Sequence, residues 1–158
     1  MTRVRTSEGQ ATEARVVVGY DGSDSARRAV ARGVRAAGPR GQVILVAVEP
    51  RLHEDGIVAE QLVEPGDQPS QLLAEAHAIA ERTCATDATD ATDATDVRTV
   101  AVARQGNPAD EILEAARAVD ADLIVVGRRG KNFLARAILG SVAIRVVELA
   151  RCDVLVVA

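Results

Sequence analysis

Aromatic side chains are nearly missing from this chain, with one Tyr, one Phe and no Trp among 158 residues. Single-stranded nucleic acid is usually held on several stacked aromatics, so that mode of recognition is excluded. A surplus of positive charge is missing too. The 19 Lys and Arg stand against 23 Asp and Glu, a net charge of −4, whereas a duplex-binding surface is normally basic. Cysteine is scarce: Cys84 and Cys152 form no CxxC pair, so neither a disulfide framework nor a zinc site is expected, and neither thiol stands beside a basic cluster that would activate it. No apolar run reaches the ~18 residues of a membrane span, and the N-terminus lacks the apolar core of a signal peptide. The expectation is a soluble, cytoplasmic protein with no membrane partner. His53 and His77 are isolated and expected at the surface. No paired carboxylates and no ligand spacing mark a catalytic or metal centre, so an enzyme with real turnover is not expected.

What the chain does have is aliphatic bulk, 47% hydrophobic residues, enough for one core at this length. Residues 1–14 are polar, without periodicity, and read as a frayed tail. From Arg15 the pattern changes. Arg15 to Gly19 reads as a short strand buried on both faces, and Tyr20-Asp21-Gly22-Ser23 as a turn whose Ser caps a helix with Ala26, Ala29, Val30, Gly33, Val34 and Ala37 on one face. Gly38-Pro39 stops it. Gln42 to Val48 is a second buried strand, residues 51–67 are read as a loop, and Pro69 starts a helix that runs to about Thr83 with Leu72, Leu73, Ala76, Ile79 and Ala80 inward.

Residues 85–96 are four copies of Ala-Thr-Asp with no apolar face at either period, and read as a solvated connector. Without those four acids the chain would carry 19 of each sign. Val97 to Ala103 alternates as an edge strand should. Asn107 and Pro108 then cap and begin a helix with Ile112, Leu113, Ala116 and Val119 inward. After a final helix from Ser141, bearing Val142, Ile144, Val147 and Leu149, the chain ends on an apolar strand behind Asp153.

The stretch that carries the chemistry lies between those two helices. Leu123-Ile124-Val125-Val126 reads as a strand buried on both faces, followed by Gly127-Arg128-Arg129-Gly130-Lys131, and nine residues separate Gly130 from Gly140-Ser141 at the start of the last helix. Glycines would let backbone approach a ligand. Free N–H groups at a helix start, a Ser hydroxyl and three cations together favour phosphate. Neither a Walker A lysine motif nor a GxGxxG fingerprint is present.

This strand, GxxG, nine residues and Gly-Ser resemble the nucleotide-binding signature of the universal stress protein family, in its ATP-binding branch, and the likeness extends over residues 15–158. The resemblance implies a doubly wound five-stranded parallel sheet in the order 3-2-1-4-5 with helices on both faces. In that order the first and fourth strands are neighbours and open a crevice at their carboxyl ends. It further implies that Gly19, Asp21 and Val48 surround adenine and ribose, that Gly127, Arg129, Gly130, Lys131, Gly140, Ser141 and Val142 follow ribose and phosphates, and that the ligand is ATP with Mg²⁺. Asp21 has a plainer reading as a turn residue. Arg128 stands where the family more often has a small side chain, either adding a phosphate contact or crowding the loop. Asp153 stands where the family usually has Pro. By the same resemblance the chain is a nucleotide-dependent sensor or regulator that forms a homodimer by antiparallel pairing of Val154, Leu155, Val156 and Val157.

Two alternatives stand beside it. Asp21-Gly22-Ser23-Asp24-Ser25 has some likeness to the phosphate loop of adenylating ATP pyrophosphatases, though it departs at two positions. A phospho-receiver domain would need an acceptor Asp after the third strand, where Ala103-Arg104-Gln105 stands.

Overall fold

The strands Arg15–Gly19 and Leu123–Gly127 are short, largely β-branched runs closed by a glycine. The structure, a computed structural model, describes residues 13–49, 68–87, 97–130 and 139–158. Strands β1 (Arg15–Gly19), β2 (Gln42–Glu49), β3 (Arg98–Gln105), β4 (Leu123–Gly127) and β5 (Asp153–Val157) alternate with helices α1 (Asp24–Ala37), α2 (Pro69–Asp87), α3 (Pro108–Ala118) and α4 (Ser141–Leu149). All four strand pairs are parallel and the sheet order is β3-β2-β1-β4-β5, as expected.

Local chemistry sets most of the boundaries. Ser23 caps α1 by accepting from the Ala26 N–H at 3.2 Å, and Gly38 closes the helix at φ 66°, a conformation that costs a residue with a side chain. Asn107 caps α3 by accepting from the Ala109 and Asp110 amides, with Pro108 in the first turn. The helices divide between two faces. On one, α1 and α2 cover Val16, Val18, Val43, Leu45 and Val125; on the other, α3 and α4 cover Val17, Ile44, Val46, Ile124 and Val126. Alternate residues of β1, β2 and β4 thus enter opposite cores, which is why their sequences read as continuous apolar runs.

Three sequence expectations change. The helix expected to end near Thr83 continues through Ala85, Thr86 and Asp87, so the first Ala-Thr-Asp copy is helical rather than part of a solvated connector. Thr86 Oγ1 donates to the Arg82 carbonyl at 2.8 Å, one turn back, so its hydroxyl bonds within the helix and does not divert the backbone. The remaining copies lie outside the described residues, as do the N-terminal residues 1–12, the segment 51–67 with His53, and Lys131. The third strand starts one residue later and ends two residues later than expected, because β3 stays paired with β2 as far as Glu49. In α4 the buried residues are Ala143 and Val146, whereas Ile144, Val147 and Leu149 are exposed.

Tyr20, the lone tyrosine, is almost fully buried under α1 and α2, and its hydroxyl has no partner at hydrogen-bonding geometry among the described residues. Burial first, and then the neighbouring Glu75, push its phenol well above the ordinary value of 10.0. A folded-state pKa above the unfolded one stabilises fully below about pH 10 and loses that contribution as pH rises towards the folded pKa. Tyr20→Phe should therefore be at least as stable as the parent near neutrality and should lose less stability above pH 10. Phenolate absorbance of the folded parent checks the premise directly; titration near 10 would contradict it.

Candidate functional site

The sheet order makes β1 and β4 neighbours while their outgoing helices lie on opposite faces, so a crevice opens beyond their carboxyl ends. Tyr20 N–H donates to the Val46 carbonyl at 2.9 Å, which carries the ladder one residue past β1 and sets Asp21 at the crevice mouth. Asp21 Oδ1 accepts from the Ser23 amide at 3.0 Å. The plain turn role of Asp21 is therefore present, and its second carboxylate oxygen faces Gly130: a Cβ on Gly130 would stand 2.8 Å from Oδ2.

The other wall is the start of α4. Gly140 occupies the cap with no side-chain hydrogen bond, and the first intrahelical bond runs from the Ile144 N–H to the Gly140 carbonyl at 3.0 Å. The amides of Ser141, Val142 and Ala143 precede that bond and so carry the positive end of the helix. One tie fixes the glycine loop to the end of β5, and a second brings this helix start to the loop. Arg128 N–H donates to the Val157 carbonyl at 2.6 Å, and the Gly140 N–H donates to the Arg128 carbonyl at 2.8 Å. Gly140 is buried at this closure, where a Cβ would lie 3.3 Å from the Arg128 carbonyl oxygen.

The glycines divide by what they face. Gly127, expected to leave room for a ligand, faces α1 instead: a Cβ there would stand 2.5 Å from Ser25 Oγ and 2.9 Å from the Ala26 nitrogen. It is a packing glycine, because the end of β4 and the first turn of α1 touch through their main chains. Gly19 faces side chains instead: a Cβ there would stand 2.6 Å from the tip of Ile112, a side-chain end and not main chain. Gly130 alone of the three is exposed and meets only a carboxylate. Val48 is half-buried against the α3 and α4 side, Val142 half-buried, Ser141 exposed and Arg129 half-buried.

Sequence reading named Ser25 only within the Asp21 to Ser25 likeness to a phosphate loop and did not foresee its bond to the glycine loop. Its hydroxyl donates to the Arg129 carbonyl at 2.6 Å, with Ser23 Oγ donating to the same oxygen at 3.2 Å. Two helix hydroxyls therefore pin the peptide after Arg129, and the only sequence signal was a second Ser in the first turn of α1. His77 lies on the exposed face of α2, 3.4 Å from Glu81, as expected of a surface histidine.

Comparison with known proteins decides the family. The model of the universal stress protein family matches residues 14–158. The chain belongs to the universal stress protein family. A universal stress protein of Mycobacterium tuberculosis is 34% identical over 148 residues, covering 90% of this chain and 94% of the relative. One from Thermus aquaticus is 35% identical over 144 residues, covering 90% and 96%. Among solved structures, a universal stress protein in complex with cAMP is 34% identical, covers 92% of this chain and 97% of its own, and superposes with a TM-score of 0.63. A universal stress protein of Archaeoglobus fulgidus in complex with dAMP, 22% identical with a TM-score of 0.60 over 94% and 100% of the two chains, shares the fold.

Phosphate suits what the crevice offers, which is amides at a helix start, an Arg-bearing loop and glycine at its closest approach. Among the described residues no group of three His, Cys, Asp or Glu could hold a metal, and no helix is long and apolar enough to cross a membrane.

Proposed function

We propose that the chain binds ATP in the crevice between Asp21 and the Gly130 to Ser141 closure, and works as a nucleotide-dependent regulator and not as an enzyme. The observation that carries this reading is the tie between Gly140 and Arg128. It fixes the start of α4, with the free amides of Ser141, Val142 and Ala143, against the loop, an arrangement that supports phosphate binding. A universal stress protein one-third identical to this one was solved with cAMP, which supports an adenine nucleotide as the class of ligand. Asp21 and main chain at Val48 would read base and ribose. Mg²⁺ would arrive on the phosphates, with phosphate oxygens and water as its ligands. The pyrophosphatase alternative is disfavoured because the Ser23 and Ser25 hydroxyls are engaged with the Arg129 carbonyl.

A thermal melt tests it. If millimolar ATP reaches ~100 times its dissociation constant, the fold gains about 2.7 kcal/mol, while sulfate at equal concentration should give much less. Ser141→Ala should weaken ATP more than adenosine, and Asp21→Asn, which keeps an acceptor for the Ser23 amide, should weaken both. A melt that ignores ATP removes the reading.

Assembly forms part of the same proposal. The last strand of the sheet leaves apolar side chains exposed on both of its sides, Leu155 38% on the α1 side of β5 and Val147 51% on α4. Pairing of Val154, Leu155, Val156 and Val157 with a second copy would cover that edge. Leu155→Asp is expected to convert a dimer to monomer in light scattering at micromolar concentration, and a dimer that survives it would place the interface elsewhere.

A further inference from the structure

The carboxyl ends of the strands stand in a row in the order β3, β2, β1, β4, with neighbours about 4.8 Å apart. The first turn of α3 walls the β1 to β3 part of that row, and it brings an ion pair there that the sequence reading did not use. Ile112 stands at the end of β1, where its tip meets Gly19. Glu111 stands further out: a Cβ on Gly106, the residue after β3, would lie 2.8 Å from its Oε1. The Gly106 N–H in turn donates to the Glu49 carbonyl at 2.9 Å, which ties this turn to the end of β2.

Arg104 is the other half of the pair. It is the register partner of Val48 where β3 runs beside β2. Val102, two residues earlier, packs on the α3 and α4 side, so Arg104 leaves the sheet on that side, as Val48 does. Its Nη1 lies 3.8 Å from Glu111 Oε2, and both residues are half-buried. At that distance the two charges attract without a hydrogen bond, so the carboxylate keeps acceptor capacity for a third group. The pair also lies in line with the crevice. The amides of α4 stand beyond β4, Asp21 follows β1 and Val48 is the last residue but one of β2, so a nucleotide laid from the start of α4 to Val48 crosses two strand spacings, about 10 Å, and turns its far edge towards β3.

We propose, resting on the reading that the crevice binds an adenine nucleotide, that Glu111 sets the choice of base by accepting a hydrogen bond from the exocyclic amine of adenine, with Arg104 holding the carboxylate in place. The amine has two N–H groups, so one can go to the main chain at Val48 and the other to Glu111. A base with a carbonyl at that position, such as hypoxanthine, sets oxygen against the carboxylate. A site built to accept from an N–H rejects the analogue that lacks it, because its own buried acceptor is then left unpaired.

Isothermal titration calorimetry of the full chain with ATP and with ITP tests the proposal, since the two share ribose and phosphates and differ only in the base. The parent should bind ATP about tenfold or more tightly than ITP. Glu111→Gln keeps the size of the side chain and can turn an amide N–H to a carbonyl, so it should shrink that preference about tenfold while the melting temperature without ligand stays that of the parent. A purely structural role for Glu111 would weaken both nucleotides together, whereas a role in base choice changes their ratio. A variant that keeps the parent's ratio, whatever its affinities, overturns the assignment. A parent that binds ATP and ITP equally overturns it too and leaves nucleotide binding standing, while a parent that binds neither removes the nucleotide reading and this assignment with it.

Discussion

Gly127→Val is expected to destabilise the fold by about 3 kcal/mol, the upper end of what overpacking costs, and to lower the melting temperature by roughly 6–12 °C. The reason is directional. The first carbon added at Gly127 would stand 2.5 Å from Ser25 Oγ, 2.9 Å from the Ala26 nitrogen and 3.0 Å from the Ser25 carbonyl carbon, and two of these are main-chain atoms of a capped helix. They cannot rotate away. Relief needs α1 or β4 to move, which loosens the Ser25 to Arg129 bond and with it the loop. Gly127→Ala should already show part of the loss. Gly130→Val is the contrast, since its Cβ meets only Asp21 Oδ2, the end of a side chain at an exposed position. That variant should keep the parent melting temperature without ligand and lose the shift on adding ATP. Chemical denaturation of both, with and without ATP, separates fold from binding, and equal stability of Gly127→Val and parent would contradict the packing assignment.

Leu45→Ala is the other large effect expected, about 2–5 kcal/mol and so a fall of roughly 5–20 °C. Leu45 is 0% exposed, lies in the middle of β2 and faces the core beneath α1 and α2. Apart from Leu45 itself, Tyr20 and Leu73, the buried side chains of that core are all Val and Ala. Short, stiff side chains cannot swing into a void, so the cavity left by Ala should stay nearly its full size. Urea unfolding followed by circular dichroism measures the loss. A cost under about 1 kcal/mol would mean that the core collapses around the gap and is softer than its composition implies.

The sequence by itself determined those parts of this protein whose causes lie within a few residues. Ser23, Pro69, Asn107 and Pro108 start their helices where expected, because a cap or a missing N–H acts on the next turn and on nothing further away. The buried strands were legible because parallel strands covered on both faces must be apolar throughout. The strand order was legible by family likeness, and the sheet has that order.

Only the tertiary structure decided what the loop glycines and arginines face. Gly127 reads as a ligand glycine in isolation, yet the atoms that forbid a side chain there belong to a helix about a hundred residues earlier. Ser25 and Arg129 meet across 104 residues, and Arg28 and Arg128 share a cavity only because α1 packs beside the end of β4. The outward face of α4 likewise has an apolar sequence but no cover among the described residues, since β5 is the last strand of the sheet and nothing beyond it is there to bury Val147. A periodic pattern says which residues share a face. What that face meets depends on which elements the sheet order makes neighbours, and that is set by the packing of the whole chain.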